Sequence, residues 1–275
     1  MSRVIRLEPE IPPVDVLSVT RMAQGGRWRT EAMRSYDRPV LLWVTRGQGR
    51  LTIAGRTCGY GPHNLVFLPP RTMHGFSTMG PVLGSLVFLP NDPMFDWPVE
   101  ALHLRLNDVQ RQRELTAMID AISRERDSAC DRSNMALYHH AGLLSVWVSR
   151  TADALMNTQP QSPGTRSDTP AHRLAEAFTS LVERDFRKVD GVQHYAQLLG
   201  VTPTHLSRVC RKVTGVPALE ILTDRRHFEA RRLLKDTSIP ISHIARQSGF
   251  ASAAYFTRAF RARTGQSPSE FRNSH

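Results

Sequence analysis

A ten-residue pattern occurs twice in this chain, 50 residues apart, and it constrains the fold more than any other feature. Residues 206–215 read LSRVCRKVTG and residues 256–265 read FTRAFRARTG. Both copies place apolar, Arg, apolar, apolar, basic and Thr-Gly in the same order. Each copy follows a second matching segment, VQHYAQLLGV in the first case and ISHIARQSGF in the second. Both segments carry Ala four residues ahead of Gly, and both end in Gly followed by an apolar residue. A helix, a Gly-containing turn and a second helix make a helix-turn-helix unit, so the sequence predicts two of them.

In the first copy, Leu206, Val209, Cys210 and Val213 recur at i, i+3, i+4 and i+7 and form one buried stripe. At about 100° per residue, Thr204, Arg208 and Arg211 project from the opposite face, flanked by His205, Ser207 and Lys212. Base edges in a major groove offer donors and acceptors, and Arg grips guanine with two hydrogen bonds. Arg208 is therefore the first choice for base reading, with Thr204 and Ser207 beside it. Arg211, Lys212 and His205 are assigned to phosphates. In the second copy, Phe256, Ala259 and Phe260 form the stripe, and Ala254, Thr257, Arg258 and Arg261 face outward. Arg258 takes the place of Arg208, and Tyr255 and Arg261 are assigned to the DNA backbone. Ala253 and Ala254 stand where polar readers could be, so this helix is expected to discriminate less.

Between the copies, ALEILTDRRHFEARRLLK (residues 218–235) contains no Gly or Pro. A helix of that length spans roughly 27 Å, against about 34 Å between successive major-groove faces. It reads as a strut that holds both readers on one side of a duplex. Charge agrees. Residues 171–275 hold 17 Lys and Arg against nine Asp and Glu, while residues 1–170 hold 19 against 16. The C-terminal part thus carries +8 of the net +11, an excess that a polyanionic partner would use through counterion release.

Residues 157–170, NTQPQSPGTRSDTP, are nearly free of apolar side chains and contain three prolines. They read as a flexible tether. Before it, residues 39–90 alternate β-rich runs with Gly and Pro turns, the pattern of a small antiparallel barrel or sandwich. Residues 106–127 and 133–156 then carry Leu, Ile, Met, Val and Trp at helical spacing and read as a hairpin. Its apolar surface serves either as a dimer interface or as a face packed on the barrel.

The other bulk features exclude some classes. No apolar run is long enough to span a bilayer, and the start MSRVIRLEPEIPPVD lacks the apolar core of a secretory signal. Both observations lead us to expect a cytoplasmic protein. Cys58, Cys130 and Cys210 form no C-x-x-C pair, which excludes a thiolate zinc site by spacing and fits a reducing compartment.

Residues 232–272, RLLKDTSIPISHIARQSGFASAAYFTRAFRARTGQSPSEFR, resemble the signature of the AraC/XylS regulator family. The shared motif is I-A-x-x-x-G-F, an F-x-R-x-F run and T-G-x-x-P-x-x-F-R. The resemblance covers about the last hundred residues, with THLSR opening the first recognition helix. It implies that Thr204, Ser207 and Arg208, and Ala254, Thr257 and Arg258, occupy base-contacting positions. The stretch LLWVTRGQGRLTIAGRTCGYGPHNLVFLPPRTMHGF resembles the cupin-like effector domain of the same family. Catalytic cupins bind metal through H-x-H, a nearby Glu and a later His. Here His74 is followed by Gly75 and Phe76, and His63 is the one other nearby candidate, so neither a metal site nor a cofactor is expected.

The expected fold is multidomain α and β: an N-terminal cupin-like β-barrel with a helical hairpin (residues 1–156), the linker 157–170, and a C-terminal all-α domain with two helix-turn-helix units (171–275). The expected function is sequence-specific, DNA-binding transcription regulation, leaning towards activation and controlled by a small-molecule effector in the barrel. Arg27, Trp28, Trp43 and His74 are the candidate effector contacts. Promoter DNA, the effector, RNA polymerase and a second copy of the chain are the expected partners. Two alternatives remain open at this point: a cupin metalloenzyme with an accessory helical domain, and a DNA-binding protein without sequence preference.

Overall fold

The computed structural model describes residues 14–24, 32–128, 130, 132–158 and 169–274. Eight strands form two facing antiparallel sheets. β1 (Asp15–Ser18), β2 (Val40–Arg46), β5 (Asn64–Leu68), β7 (Leu83–Phe88) and β8 (Leu102–Arg105) make one sheet in the order β1-β7-β2-β5-β8. β3 (Gly49–Ile53), β4 (Arg56–Tyr60) and β6 (His74–Thr78) make the other, in the order β4-β3-β6. A short helix, α1 (Val19–Gln24), follows β1.

Strand parity sorts the apolar residues into two cores. Val40, Leu42 and Val44 point between the sheets and meet Leu51, Ile53, Val66, Phe76 and Leu86. Leu41 and Trp43 point the other way, with Leu65, Phe67 and Val87. There they are covered by α2 (Val109–Asp127) and α3 (Ser133–Thr158), through Leu115, Ile119, Ile122, Leu137, Ala141, Leu144 and Val148. β2 is thus buried on both faces, which is why VLLWV is apolar without alternation. One face of the hairpin packs on the barrel. Its other side leaves Met135, Leu143, Val146 and Met156 exposed.

The C-terminal part comprises seven helices among the described residues: α4 (Pro170–Asp185), α5 (Val192–Leu198), α6 (Pro203–Thr214), α7 (Ala218–Asp236), α8 (Ile241–Gln247), α9 (Ala253–Thr264) and α10 (Pro268–Asn273). Two cores lie on either side of α7. Phe178, Val182, Phe186, Tyr195, Leu206, Cys210, Ile221 and Leu222 fill the first. Leu234, Ile244, Phe250, Phe256, Phe260 and Phe271 fill the second. Most of the proposed tether lies outside the described residues, but helix reaches Thr158 before it and resumes at Pro170, where Thr169 caps the chain.

The barrel docks on this helical part, a contact with no periodic signal in the sequence. Met33 and Met73 enter the first helical core. The β3–β4 turn, where Ala54 and Gly55 both have positive φ (45° and 79°), presses on α4. A Cβ on Gly55 would lie 2.9 Å from the Ala175 carbonyl, so only glycine fits there. Next to it, Arg56 pairs with Glu176 at 3.8 Å, and the Thr57 hydroxyl donates to the Thr214 carbonyl at 3.3 Å. Tyr36 and the buried Arg34 meet Phe228 of α7.

Candidate nucleic-acid interface

Each reading helix is framed by the same local chemistry. Thr202 caps α6 by accepting from the His205 N–H at 3.2 Å, and Ser252 caps α9 by accepting from the Tyr255 N–H at 3.1 Å. At the far ends, Gly215 and Gly265 adopt φ of 87° and 76°, the left-handed geometry that stops a helix. Just before each glycine a threonine repeats one circuit. Thr214 donates to the Cys210 carbonyl and accepts from the Val216 N–H, as Thr264 does with Phe260 and Gln266. The Gly turns entering the units match as well, with Val201 N–H on the Ala196 carbonyl at 3.0 Å and Phe250 N–H on that of Ala245 at 2.9 Å. The repeat in sequence is a repeat in hydrogen bonding.

On α6 the stripe is Leu206, Val209, Cys210 and Thr214, with Val213 only half-buried. Thr204, His205, Arg208, Arg211 and Lys212 are exposed and Ser207 is half-buried. Thr204, Ser207, Arg208 and Arg211 line one groove of about 580 Å³, together with Val192, Pro203, Pro217 and Leu219. Arg208 donates to His205 Nδ1 at 3.1 Å, so its guanidinium is steadied on the open face before any ligand arrives. His205 therefore acts first as a support for Arg208, a contact the sequence reading missed although i, i+3 spacing allows it.

On α9, Phe256 and Phe260 are buried and Ala259 is half-buried, while Ala253, Ala254, Tyr255, Arg258 and Arg261 are exposed. Thr257 turns its hydroxyl back onto the Ala253 carbonyl at 2.9 Å, which commits its one donor to the backbone. Arg263 reaches back to Asp224 of α7 in a close ion pair. The second helix thus presents fewer free hydrogen-bonding groups than the first.

Some of the basic side chains of the C-terminal part are committed to contacts within the fold. Arg225, 3% exposed, pairs with Glu183 at 2.6 Å and Glu229 at 3.2 Å, and reaches Ser35 of the barrel at 3.5 Å. Arg187 and Arg232 also meet Glu229, and Arg226 donates to the carbonyls of Phe186, Lys188 and Asp190. Burial works against the Glu229 carboxylate, yet the Arg232 hydrogen bond and the surrounding guanidinium charges bring it down to about 2. Hydrogen bonds from Arg184 and Lys188 likewise draw Asp185 down to about 2. The i, i+4 spacing of Arg225 and Glu229 was the available signal for this network.

The two proposed effector contacts that are described, Trp43 and His74, do not come together. Arg27 and Trp28 lie outside the described residues. Trp43 faces the helical hairpin, where its indole N–H donates to Thr116 at 3.2 Å, rather than the barrel interior. His74 is buried on the opposite sheet against Arg34 and Tyr36, with Nδ1 on the Thr72 carbonyl at 2.9 Å. Burial, ahead of the Arg34 charge, pushes its imidazole down to about 3. A pocket sharing Trp43 and His74 is therefore ruled out by strand parity. Among the described residues, no three His, Cys, Asp or Glu side chains gather into a metal-binding group.

The AraC-like ligand binding domain model matches residues 17–139, and a helix-turn-helix domain model matches residues 195–274. The first match covers the barrel and the start of α3, and the second covers both reading units. The chain carries the domain pair of AraC- and RhaR-type transcription regulators. Over 77 residues it is 40% identical to the arabinose operon regulatory proteins of Salmonella typhimurium and Escherichia coli. That stretch is 28% of this chain and only 27% and 26% of those relatives. The activator RhaR of Salmonella schwarzengrund is 23% identical over 247 residues, 85% of this chain and 84% of that one. A crystal structure of ToxT from Vibrio cholerae aligns over 94% of this chain and 96% of its own at 15% identity, with a TM-score of 0.47. This chain thus joins an AraC-like ligand binding domain to a helix-turn-helix domain, and the relatives named here are regulators rather than enzymes.

Proposed function

We propose that this chain is a sequence-specific, DNA-binding transcription regulator whose action is set by a small molecule at the barrel. One observation carries the reading: two reading helices with matched caps expose Arg208 and Arg258 at equivalent positions, and α7 joins the two units. Thr204, Ser207 and Arg208 read bases, with Arg258 as the chief reader of the second helix and Thr257 and Ala254 as minor contacts. Arg211, Lys212, Tyr255 and Arg261 hold the phosphates. The exposed residues of α3 supply a surface for a second copy, and the residues 157–170 join an effector domain (1–156) to the reading domain (171–275). RNA polymerase is the partner through which such a regulator acts, and the likeness to RhaR, an activator, favours activation. Among the described residues no helix is long and apolar enough to cross a membrane, in keeping with a cytoplasmic site of action.

The test is binding of the full chain to its own upstream region and to random DNA at one fixed low salt concentration. Specific binding tighter by about a thousandfold or more is expected. Equal affinity for both DNAs would leave only non-specific binding, and no binding to either would remove the reading altogether.

A further inference from the structure

Where the two sheets meet at one edge of the barrel, three side chains from three strands form a chain of contacts. Cys58 of β4 lies with Sγ 3.3 Å from Nδ1 of His103 on β8. The other ring nitrogen, Nε2, is 2.7 Å from Oδ1 of Asn64 on β5. Asn64 is itself held, its amide donating to the Pro62 carbonyl at 3.3 Å. An amide oxygen can only accept, so Nε2 carries the ring proton and Nδ1 offers its lone pair to the thiol. This is a nucleophile, a base beside it and a third group that orients the base. The thiol also lies 3.6 Å from the Leu51 carbonyl, a longer and weaker alternative for its proton.

Burial pushes the Cys58 thiol up and the His103 imidazole down, so both groups rest neutral. A neutral pair is not inert. It reacts when the base removes the proton as the sulfur bond forms. Cys58 is half-buried and lines an open groove of about 480 Å³ with Gln48, Arg50, Thr57, Tyr60 and Met79. Arg50 is the one cation among those lining residues.

We propose that Cys58 is a covalent capture site for small electrophiles with an activated alkene, the α,β-unsaturated carbonyl class. Sulfur adds to the β-carbon while His103 Nδ1 takes the thiol proton. The alkene pair moves towards the carbonyl, and the proton then passes from Nδ1 to the α-carbon. The net change is addition of S–H across C=C, with no oxidant or reductant. The neighbours of Cys58 on β4 give the adduct a route to the readers, because Thr57 contacts the end of α6 and Arg56 contacts α4. That coupling rests on the DNA-binding reading above; the adduct itself does not.

The experiment treats the full chain with limiting N-ethylmaleimide between pH 6.5 and 8.5 and follows each cysteine by peptide mass spectrometry. Cys58 is expected to react first at pH 6.5, ahead of the exposed Cys130, with Cys210 untouched in its core. Its rate should stay nearly flat across this range, whereas a thiol that reacts only as its thiolate climbs about tenfold per pH unit below its pKa. His103→Gln should slow Cys58 about a hundredfold and leave Cys130 unchanged. A Cys58 rate that rises in step with Cys130, a Cys58 slower than Cys130 at pH 6.5, or a His103→Gln chain reacting at the wild-type rate overturns the proposal. Peroxide marking Cys58 where maleimide does not also overturns it, in favour of an oxidant. The flat pH profile needs no variant, so a misfolded His103→Gln would not shield the idea. For the coupling, maleimide should change the DNA affinity of the wild type by about fivefold or more and leave Cys58→Ser unmoved. An adduct without that change overturns the coupling alone, and a chain that binds no DNA even untreated refutes the earlier reading instead.

Discussion

The two reading units have the same caps, the same turns and the same threonine circuit, yet they are anchored differently. The first shares a core with the barrel through Met33 and Met73, and its reading helix receives a hydrogen bond from Thr57. The second packs through Phe250, Phe256 and Phe260 on α7, and Arg263 ties it to the same helix through Asp224. Their reading faces differ in the same sense. The first offers Thr204, Ser207 and a steadied Arg208, and the second offers two alanines and Arg258. On the proposed reading, the unit with more base-reading side chains is also the one the barrel touches, so a signal from the barrel would reach it directly and the second unit only through α7.

Removing Arg225 should test this asymmetry most severely. Arg225→Ala leaves Glu183 and Glu229 buried without their central cation beside the first unit and should cost about 3–5 kcal/mol, read as a fall in denaturation midpoint. If the loss is under about 1 kcal/mol, the first unit is not anchored as described. Acid should come next. His74 at the barrel contact and His227, which packs on Phe250 and Phe260 at the second unit, are both buried, and burial lowers them to about 3 and about 4. Their folded values lie below the ordinary 6.5, so the unfolded chain binds more protons. The stability is fully present above pH 6.5 and falls as pH drops from there towards about 3, the carboxylates of Asp185 and Glu229 adding their own loss as pH falls through the ordinary carboxylate range towards about 2. A melting temperature unchanged between pH 7 and pH 5 would contradict it.

On DNA, Arg208→Ala should cost about 1–3 kcal/mol of specific binding and relax the preference at one base pair. Arg258→Ala should cost less, and Arg261→Ala should weaken specific and random DNA alike while shallowing the salt dependence. Equal losses for Arg208→Ala on both DNAs would remove its role as a base reader. Gly55→Ala sharpens the anchoring side, since the added methyl meets the Ala175 carbonyl and the positive φ costs about 1–2 kcal/mol. Faster amide exchange in α4 with α9 unchanged is the expected signature. The smallest effect belongs to Arg263→Ala, about 0–1 kcal/mol, because that pair is partly open to water.

The reading domain was legible because its signals are local. Cap residues, Gly stops and the i, i+3, i+4 stripes all act within a few residues, and α7 ends within a residue of the uninterrupted run that predicted it. The stripe slipped only at its end, where Thr214 rather than Val213 is buried because the C-terminal circuit turns that hydroxyl inward. The barrel was legible as β and as turns, but not in its facing. VLLWV is apolar at every position, so nothing in it says that Trp43 looks towards the hairpin and Leu42 towards the interior. The docking of barrel on helices was invisible, since it depends on isolated residues such as Met33, Arg34, Gly55 and Met73 that no period connects. Cys58, His103 and Asn64 come from three strands, and only the closed fold makes them neighbours.

The strut helix has a consequence for how such a regulator can change over generations. It is packed on two sides along its length, by one core at each end. Deleting a single residue from it would swing the second unit by about 100° and draw it in by about 1.5 Å, which no straight duplex could follow. With Thr204 and Ala254 reading bases as proposed, new operators would be open to this chain through substitutions at such positions, but not through insertions or deletions between the units. Descendants can learn new words, while the spacing between the words is inherited.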